Sequence, residues 1–87
     1  MSDWRLLVDI EVLEFLRTLR RREQADLMKR IREIGSFPAN YSDFAEYDAS
    51  GRRVDVHVCQ RFAIKFWADF ADRHVKILDV HFADRTR

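Results

Sequence analysis

The sequence has few of the residues that crosslink or break a chain: one cysteine, one proline and two glycines in 87 residues. A single cysteine, Cys59, excludes an internal disulfide and a cysteine-based zinc cluster, and it fits a reducing compartment. No apolar run approaches the roughly 20 residues that span a bilayer, and the N-terminus lacks a signal-peptide pattern. With only Gly35 and Gly51, no glycine-rich phosphate loop can be built. We therefore expect a cytoplasmic protein with no membrane contact, no metal and no cofactor.

What is present is typical of one globular domain covering residues 1–87. Hydrophobic residues make up 47% of the chain and aromatic residues 13%, which is enough for a modest single core despite a charged fraction of 36%. The formal net charge is only +1. Bulk charge therefore indicates no class of partner, and only the distribution of charge along the chain can do so.

Three short runs near the end of the chain alternate apolar and polar residues. They cover residues 54–58, 62–67 and 75–82. A period of two is what a sheet with one dry and one wet face requires, because successive side chains point to opposite sides. The three runs predict an antiparallel meander.

The apolar residues also suggest how these strands pair. If Cys59-Gln60-Arg61 forms the first turn, Val58 lies opposite Phe62, and the valines share a dry face with Phe62, Ile64 and Phe66. A second turn near Asp72 places those three residues opposite Phe82, Val80 and Leu78. The wet face then carries Asp55 and His57, then Ala63, Lys65 and Trp67, then Ile77, Asp79 and His81. In this register Lys65 lies between Asp55 and Asp79.

The first half of the chain indicates a strand and two helices. Residues 4–8 form an apolar run, and Asp9 is a suitable N-cap for a helix with apolar residues at 12, 13, 16 and 19. A second helix follows, with Gly35 as its C′ residue and Pro38 just beyond. Residues 36–51 are expected to be irregular. The predicted fold is α+β in the order β-α-α-β-β-β, with a two-helix hairpin packed on a small, mainly antiparallel sheet.

His57 and His81 are the best catalytic candidates on the predicted wet face. Histidine exchanges protons near neutral pH, as RNA cleavage by 2′-hydroxyl attack requires at both ends of the reaction. Across one strand they would be roughly 10 Å apart, too far to share a metal ion and suitable for a scissile phosphate between them. Lys65, with Arg53 or Arg85, would contact phosphate, and Trp67 would stack on a base. The alternative is a cross-strand charge ladder of Asp55, Lys65 and Asp79 beside ordinary surface histidines.

A basic cluster on the helices is the second candidate. Guanidinium groups neutralise backbone phosphates without reading sequence. The alternative is a solvated helix surface, because Glu14, Glu23, Asp26 and Glu33 are interspersed with the cations. The run Arg20-Arg21-Arg22 is the exception, since it contains no acid.

Several of these patterns together resemble the RelE/ParE superfamily of bacterial toxins from type II toxin–antitoxin modules. They are the helix over 12–19 after an opening strand, the second helix ending Ile31-Arg32-Glu33-Ile34-Gly35, and the closing runs 61–67 and 75–81. The run 61–67 is similar to the family's penultimate strand. It departs from that strand at Ala63, where the ribonucleases of the family carry arginine.

The resemblance implies a toxin-like protein that is masked by an antitoxin partner. RelE-like members cleave mRNA on the ribosome, so an mRNA endoribonuclease that causes growth arrest is one expectation. ParE-like members inhibit DNA gyrase. A non-catalytic module of the same fold, either a gyrase inhibitor or a protein-interaction domain, is therefore the alternative. A homodimer is also left open.

Overall fold

The chain folds as two helices on one face of a five-stranded sheet, in a computed structural model that describes residues 4–85 but not the side chain of Arg85. The helices are α1 (Ile10–Arg17) and α2 (Arg21–Ser36). The strands are β1 (Arg5–Val8), β2 (Phe44–Tyr47), β3 (Arg53–Cys59), β4 (Phe62–Asp69) and β5 (His74–Phe82). Short 3₁₀ helices cover Pro38–Tyr41 and Ala83–Arg85. The α+β class is confirmed. The predicted order lacked β2, which lies within the segment expected to be irregular.

The strands lie in the order β1-β5-β4-β3-β2. β1 pairs parallel with β5, and the other three pairs are antiparallel. The opening strand therefore joins the sheet, as predicted, and its neighbour is the last strand. No helix in the described part of the chain is both long and apolar enough to cross a membrane.

The core lies between the two helices and the sheet face that they cover. The helices contribute Val12 and Leu16 from α1 and Leu27, Ile31 and Ile34 from α2. The sheet contributes Phe62, Ile64, Phe66, Val75, Ile77 and Val80. We call this side the helix face and the opposite side the open face. The prediction that both helices pack on the dry face of the sheet is confirmed.

The two helices begin and end for different reasons. Asp9 caps α1, and its Oδ1 accepts the backbone N–H of Glu11 at 3.0 Å, as predicted. The predicted end of α2 at Gly35 is wrong, because the helix continues to Ser36. Gly35 instead permits close packing, since a Cβ at this position would lie 3.1 Å from Cδ1 of Leu6 in β1.

The predicted register of β3 and β4 is wrong by one residue. Cys59 pairs with Phe62 and His57 pairs with Ile64, so the turn contains two residues rather than three. Gln60 adopts a φ of 57° in this turn. Because side chains alternate, a shift of one residue exchanges the two faces of β3. Asp55 and His57 therefore lie on the helix face, and the three valines of β3 lie on the open face beside Ala63, Lys65 and Trp67.

The register of β4 and β5 is correct over its first half. Phe62 pairs with Phe82 and Ile64 with Val80, as predicted. An irregularity between Lys65 and Phe66 then places Phe66 opposite Ile77 instead of Leu78. Leu78 consequently lines a cavity with Lys65 and Glu46.

Candidate nucleic-acid interface

His57 is buried between the sheet and α2, where it links three parts of the fold. Its Nε2 lies 2.7 Å from Nη1 of Arg30 in α2. Its Nδ1 lies 3.0 Å from Oδ2 of Asp43, which precedes β2, although the contact lacks the geometry of a hydrogen bond. Tyr41 packs edge-on against the ring, with centroids 5.2 Å apart. His57 thus joins α2 to the β2–β3 hairpin.

The contact with Arg30 fixes the tautomer of His57. A guanidinium has only N–H donors, so Nε2 must accept and Nδ1 must carry the hydrogen. Burial acts to lower the pKa of Arg30, but its hydrogen bond to Glu33 and nearby negative charges outweigh that effect and raise the pKa. Arg30 therefore remains a charged donor, and its contact occupies the Nε2 atom that would be needed for proton transfer.

His81 lies on the open face, opposite Ala63 in β4. Its Nδ1 contacts Oδ2 of Asp79 at 2.8 Å. The prediction that His57 and His81 share a face is therefore wrong, because the sheet separates them. These two histidines cannot flank one phosphate as an acid and base pair in this fold.

Lys65 lies on the open face but is already neutralised. Its Nζ lies 3.1 Å from Oε2 of Glu46 in β2. Asp79 lies directly across from it in β5, as predicted. Asp55 is on the helix face, so the predicted ladder of Asp55, Lys65 and Asp79 does not form. The strand missed in the sequence supplies the partner of Lys65.

Arg53 and Trp67, both predicted to bind nucleic acid, are brought together. They line one cavity of about 400 Å³, at the end of the sheet near the 3₁₀ helix Pro38–Tyr41. Sequence reasoning missed Arg52, whose guanidinium carbon lies 4.7 Å from the centre of the Trp67 ring. The side chain of Arg85, which was predicted to contact phosphate, lies outside the described part of the structure.

The three acids of α2 contact partners other than the five exposed cations on or beside this helix. Glu23 forms two hydrogen bonds with Arg61 at 2.9 and 3.0 Å. Glu33 pairs with Arg30 at 2.9 Å, and Asp26 accepts from Gln60 at 3.4 Å. The remaining cations of this region are all exposed: Arg20, Arg21, Arg22, Lys29 and Arg32. We call these five side chains the basic ridge.

No side chain of the basic ridge forms an ion pair with any residue between 4 and 85. The steps from Arg22 to Lys29 and Arg32 follow the helical repeat, which places them on one side of α2. The alternative of a solvated helix surface stays open, because Asp26 and Glu33 lie near Lys29 on the same helix. Lys29 and Arg32 extend the predicted Arg20-Arg21-Arg22 run along the helix.

One group of side chains could hold a metal ion, although none was expected. Asp69, Asp72 and His74 each offer a ligand atom, and these atoms lie within 4.8 Å of one another. Oδ1 of Asp69 already accepts the backbone N–H of Asp72 at 3.0 Å. This hydrogen bond is an ordinary feature of a hairpin turn, and we assign the group no function.

The overall arrangement is that of a known toxin structure. A structural comparison matches the chain to RelE in the crystal structure of the archaeal RelE–RelB complex from Pyrococcus horikoshii OT3, with a TM-score of 0.80. The match covers 99% of this chain and 100% of that one, at 12% sequence identity. The chain has a RelE-type fold. No protein-family model and no curated protein matches the sequence.

The RelE-type fold is thus shared by two chains of low sequence identity. At 12% identity, the likeness establishes the arrangement of helices and strands. It does not carry over the roles of individual residues, which must be argued from the side chains of this chain.

Proposed function

We propose that this protein is the toxin of a toxin–antitoxin pair and that it acts on translation by binding RNA. The RelE-type fold supports the first part. The basic ridge supports the second part and is the observation that carries it. Phosphate contacts from unpaired arginine and lysine side chains provide affinity that is independent of sequence.

The cations of the ridge are not held in ion pairs. Each acid of α2 contacts another partner, so none of the five cations forms an ion pair with a carboxylate between residues 4 and 85, although Glu33 lies near Lys29 and Arg32. Within α2, the ridge extends from Arg21 to Arg32, about 17 Å at 1.5 Å per residue. Such a length can contact several successive phosphates of an RNA strand.

The proposed activity does not use His57 and His81 as a catalytic pair. We propose a structural role for His57, since its Nε2 is held by Arg30 at 2.7 Å. On the open face, His81 lies opposite Ala63, and Lys65 is neutralised by Glu46.

We propose that an antitoxin covers the open face. Three large apolar side chains on this face are well exposed, namely Leu7 at 49%, Phe44 at 43% and Val58 at 42%. Apolar side chains exposed on a sheet favour a protein partner over a nucleic acid. The same observation supports the second candidate function, a non-catalytic module that binds a protein such as gyrase through this face.

RNA binding at several salt concentrations separates the two candidates. We expect the protein to bind single-stranded RNA with an affinity that falls steeply as salt rises. Replacing Arg21, Arg22, Lys29 and Arg32 by alanine should reduce the slope of log K against log salt by about 3, at about 0.7 for each phosphate contact. The control variant Arg5→Ala/Lys76→Ala removes two cations outside the ridge and should keep the slope.

Controlled expression in a bacterial host then tests the toxin itself. Growth arrest that the ridge variant loses, and the control variant keeps, would support action through RNA. Mapping transcript ends shows whether cleavage accompanies arrest. Arrest by both variants, with no measurable affinity for RNA, would overturn the proposal in favour of the protein-binding candidate.

A further inference from the structure

A groove of about 350 Å³ continues the basic ridge to the end of α2. It lies between the last two turns of that helix and the 3₁₀ helix Pro38–Tyr41, which packs against them. Its volume is within the range of small-molecule sites. The side chains that line it are Lys29, Arg32, Glu33, Ser36, Phe37 and Tyr41. We call it the terminal groove.

The lining residues that belong to α2 share one side of the helix. Positions 29, 32, 33 and 36 are related by the steps of three and four residues that place side chains on one face. Phe37 follows the helix, and its backbone N–H donates to the carbonyl of Glu33 at 2.9 Å. The chain then continues through the 3₁₀ helix to Tyr41. The lining side chains therefore meet on the same surface as the ridge, and none has to reach across the sheet.

Phe37 presents an aromatic ring that the fold leaves uncovered. It is 61% exposed. Its ring takes part in none of the aromatic or cation contacts found between residues 4 and 85. Tyr41, by contrast, is held in place, because the guanidinium carbon of Arg30 lies 5.3 Å from the centre of its ring and His57 packs edge-on against it. The terminal groove thus combines one exposed ring with one fixed aromatic wall.

The charges around the groove favour an anion. Lys29 and Arg32 are both exposed, and neither forms an ion pair between residues 4 and 85. Glu33 brings a carboxylate to the lining, but its Oε1 already accepts from Nε of Arg30 at 2.9 Å. Two cations beside an exposed ring are suited to a ligand that carries phosphate next to a flat aromatic group.

A nucleic-acid base fits this lining better than an apolar side chain of a protein partner. Protein anchors fill pockets from which water is excluded, whereas the large apolar surface here comes only from Phe37 and Tyr41. A base has flat faces that stack on a ring and polar edges that form hydrogen bonds. Its own phosphates supply the negative charge that Lys29 and Arg32 match. Within a duplex the neighbouring bases cover those faces, so only an unpaired base can offer one to Phe37.

We propose that the terminal groove binds one unpaired base of RNA, stacked on Phe37, with the flanking phosphates on Lys29 and Arg32. The inference rests on the proposed RNA-binding function and narrows its target to unpaired RNA. The ridge contacts phosphates whether or not the bases are paired, and the groove adds affinity where a base is free. Stacking tolerates any sequence, because every base has a π-face.

Three RNA probes of equal length separate stacking from charge. They are oligouridine, the same strand paired with oligoadenosine, and an abasic strand that keeps the sugar–phosphate backbone without its bases. The abasic strand retains every phosphate, so the ridge should bind it as it binds oligouridine. We expect oligouridine to bind more tightly than the abasic strand by about fivefold or more, the effect of one stacked base. Fluorescence anisotropy of end-labelled strands measures these affinities.

Variants of Phe37 identify the ring as the stacking surface. Phe37→Ala should weaken oligouridine binding by about fivefold or more, with no change for the abasic strand or the duplex. It should also keep the slope of log K against log salt, since no cation is lost. Phe37→Tyr retains a ring and should bind oligouridine as the unchanged protein does. The matched control Phe44→Ala removes a phenylalanine ring from the open face and should leave all three affinities unchanged.

The proposal is overturned if Phe37→Ala, with an amide spectrum that shows it is folded, binds oligouridine normally. It is also overturned if the abasic strand binds as tightly as oligouridine. Salt-dependent binding of all three probes by the ridge would then still stand, and the exposed ring would be assigned to contact with a protein. Failure of every probe to bind at any salt concentration would instead remove the proposed RNA-binding function, and this inference with it.

Discussion

Nη1 of Arg30 donates to Nε2 of His57 at 2.7 Å, and this contact connects α2 to the third strand of the sheet. The sequence places the two residues far apart and suggests for each a role at the surface. In the fold they are partners, and for His57, one of the two predicted catalytic histidines, we propose a structural role. The stability of the protein, more than its activity, should respond to changes at this position.

His57→Ala should lower the free energy of unfolding by about 2 kcal/mol, because it leaves a cavity and removes the partner of Arg30. Urea denaturation measures the loss. The control is His81→Ala, a histidine on the open face whose contact with Asp79 is partly exposed and should be worth less than about 1 kcal/mol. Equal losses in the two variants would contradict the structural role of His57.

Nitrogen NMR of the His57 imidazole provides a second check, since its hydrogen should be on Nδ1 and not on Nε2.

Gly35→Ala should destabilise the protein by about 1 kcal/mol, although alanine is the better helix former. The new Cβ would lie 3.1 Å from Cδ1 and 3.3 Å from Cβ of Leu6, so the Leu6 side chain would have to shift by a few tenths of an ångström. Ala25→Gly, on the exposed side of the same helix, measures the helix-propensity difference alone and should cost about 0.5–1 kcal/mol. If Gly35→Ala instead raises the free energy of unfolding by the amount that Ala25→Gly lowers it, then the packing of Gly35 against Leu6 leaves room for a Cβ.

Cys59 should react slowly with iodoacetamide in the folded protein. Burial raises the pKa of the Cys59 thiol, and the nearby carboxylates of Asp26 and Glu33 add to this effect against the opposing charge of Arg30. Only the thiolate is nucleophilic, so the rate profile should rise at higher pH than that of the same chain unfolded in urea. The pKa of the Cys59 thiol is higher in the folded chain than in the unfolded chain. The neutral thiol therefore makes its full contribution to the free energy of unfolding at pH values below the pKa of the unfolded chain. This contribution is lost as the pH rises through the pKa of the folded chain. Coincident rate profiles for the folded and unfolded chains would contradict this prediction.

The elements of the fold could be predicted because their patterns are strong. Asp9 followed by apolar residues at helical spacing marked α1, and the alternation over 75–82 marked β5. Phe44–Tyr47 was missed because a strand of four residues among turn-forming residues has no pattern long enough to distinguish it. Its place in the sheet depends on pairing with β3, which is a tertiary interaction.

The candidate site was harder to predict because it depended on a single turn. Alternation shows that Asp55 and His57 share a face, but not which face. A two-residue hairpin turn is usually recognised by glycine or asparagine, whose backbones accept a positive φ. Here Gln60 adopts that conformation, with a φ of 57°, so no glycine or asparagine marked the tight turn. The distribution of charge on α2 was hidden for a related reason, since the partners Arg61 and Gln60 come from the same turn.

The parallel pairing of β1 with β5 also determines when the sheet can be completed during protein synthesis. Arg5–Val8 leave the ribosome early, but their partners His74–Ile77 are made after every other strand of the sheet. β5 lies between β1 and β4, so without it the first strand has no neighbour and the sheet is divided. A chain interrupted before β5 should therefore be an unfolded substrate for proteases. Only a chain synthesised through β5 can present the ridge and the open face together.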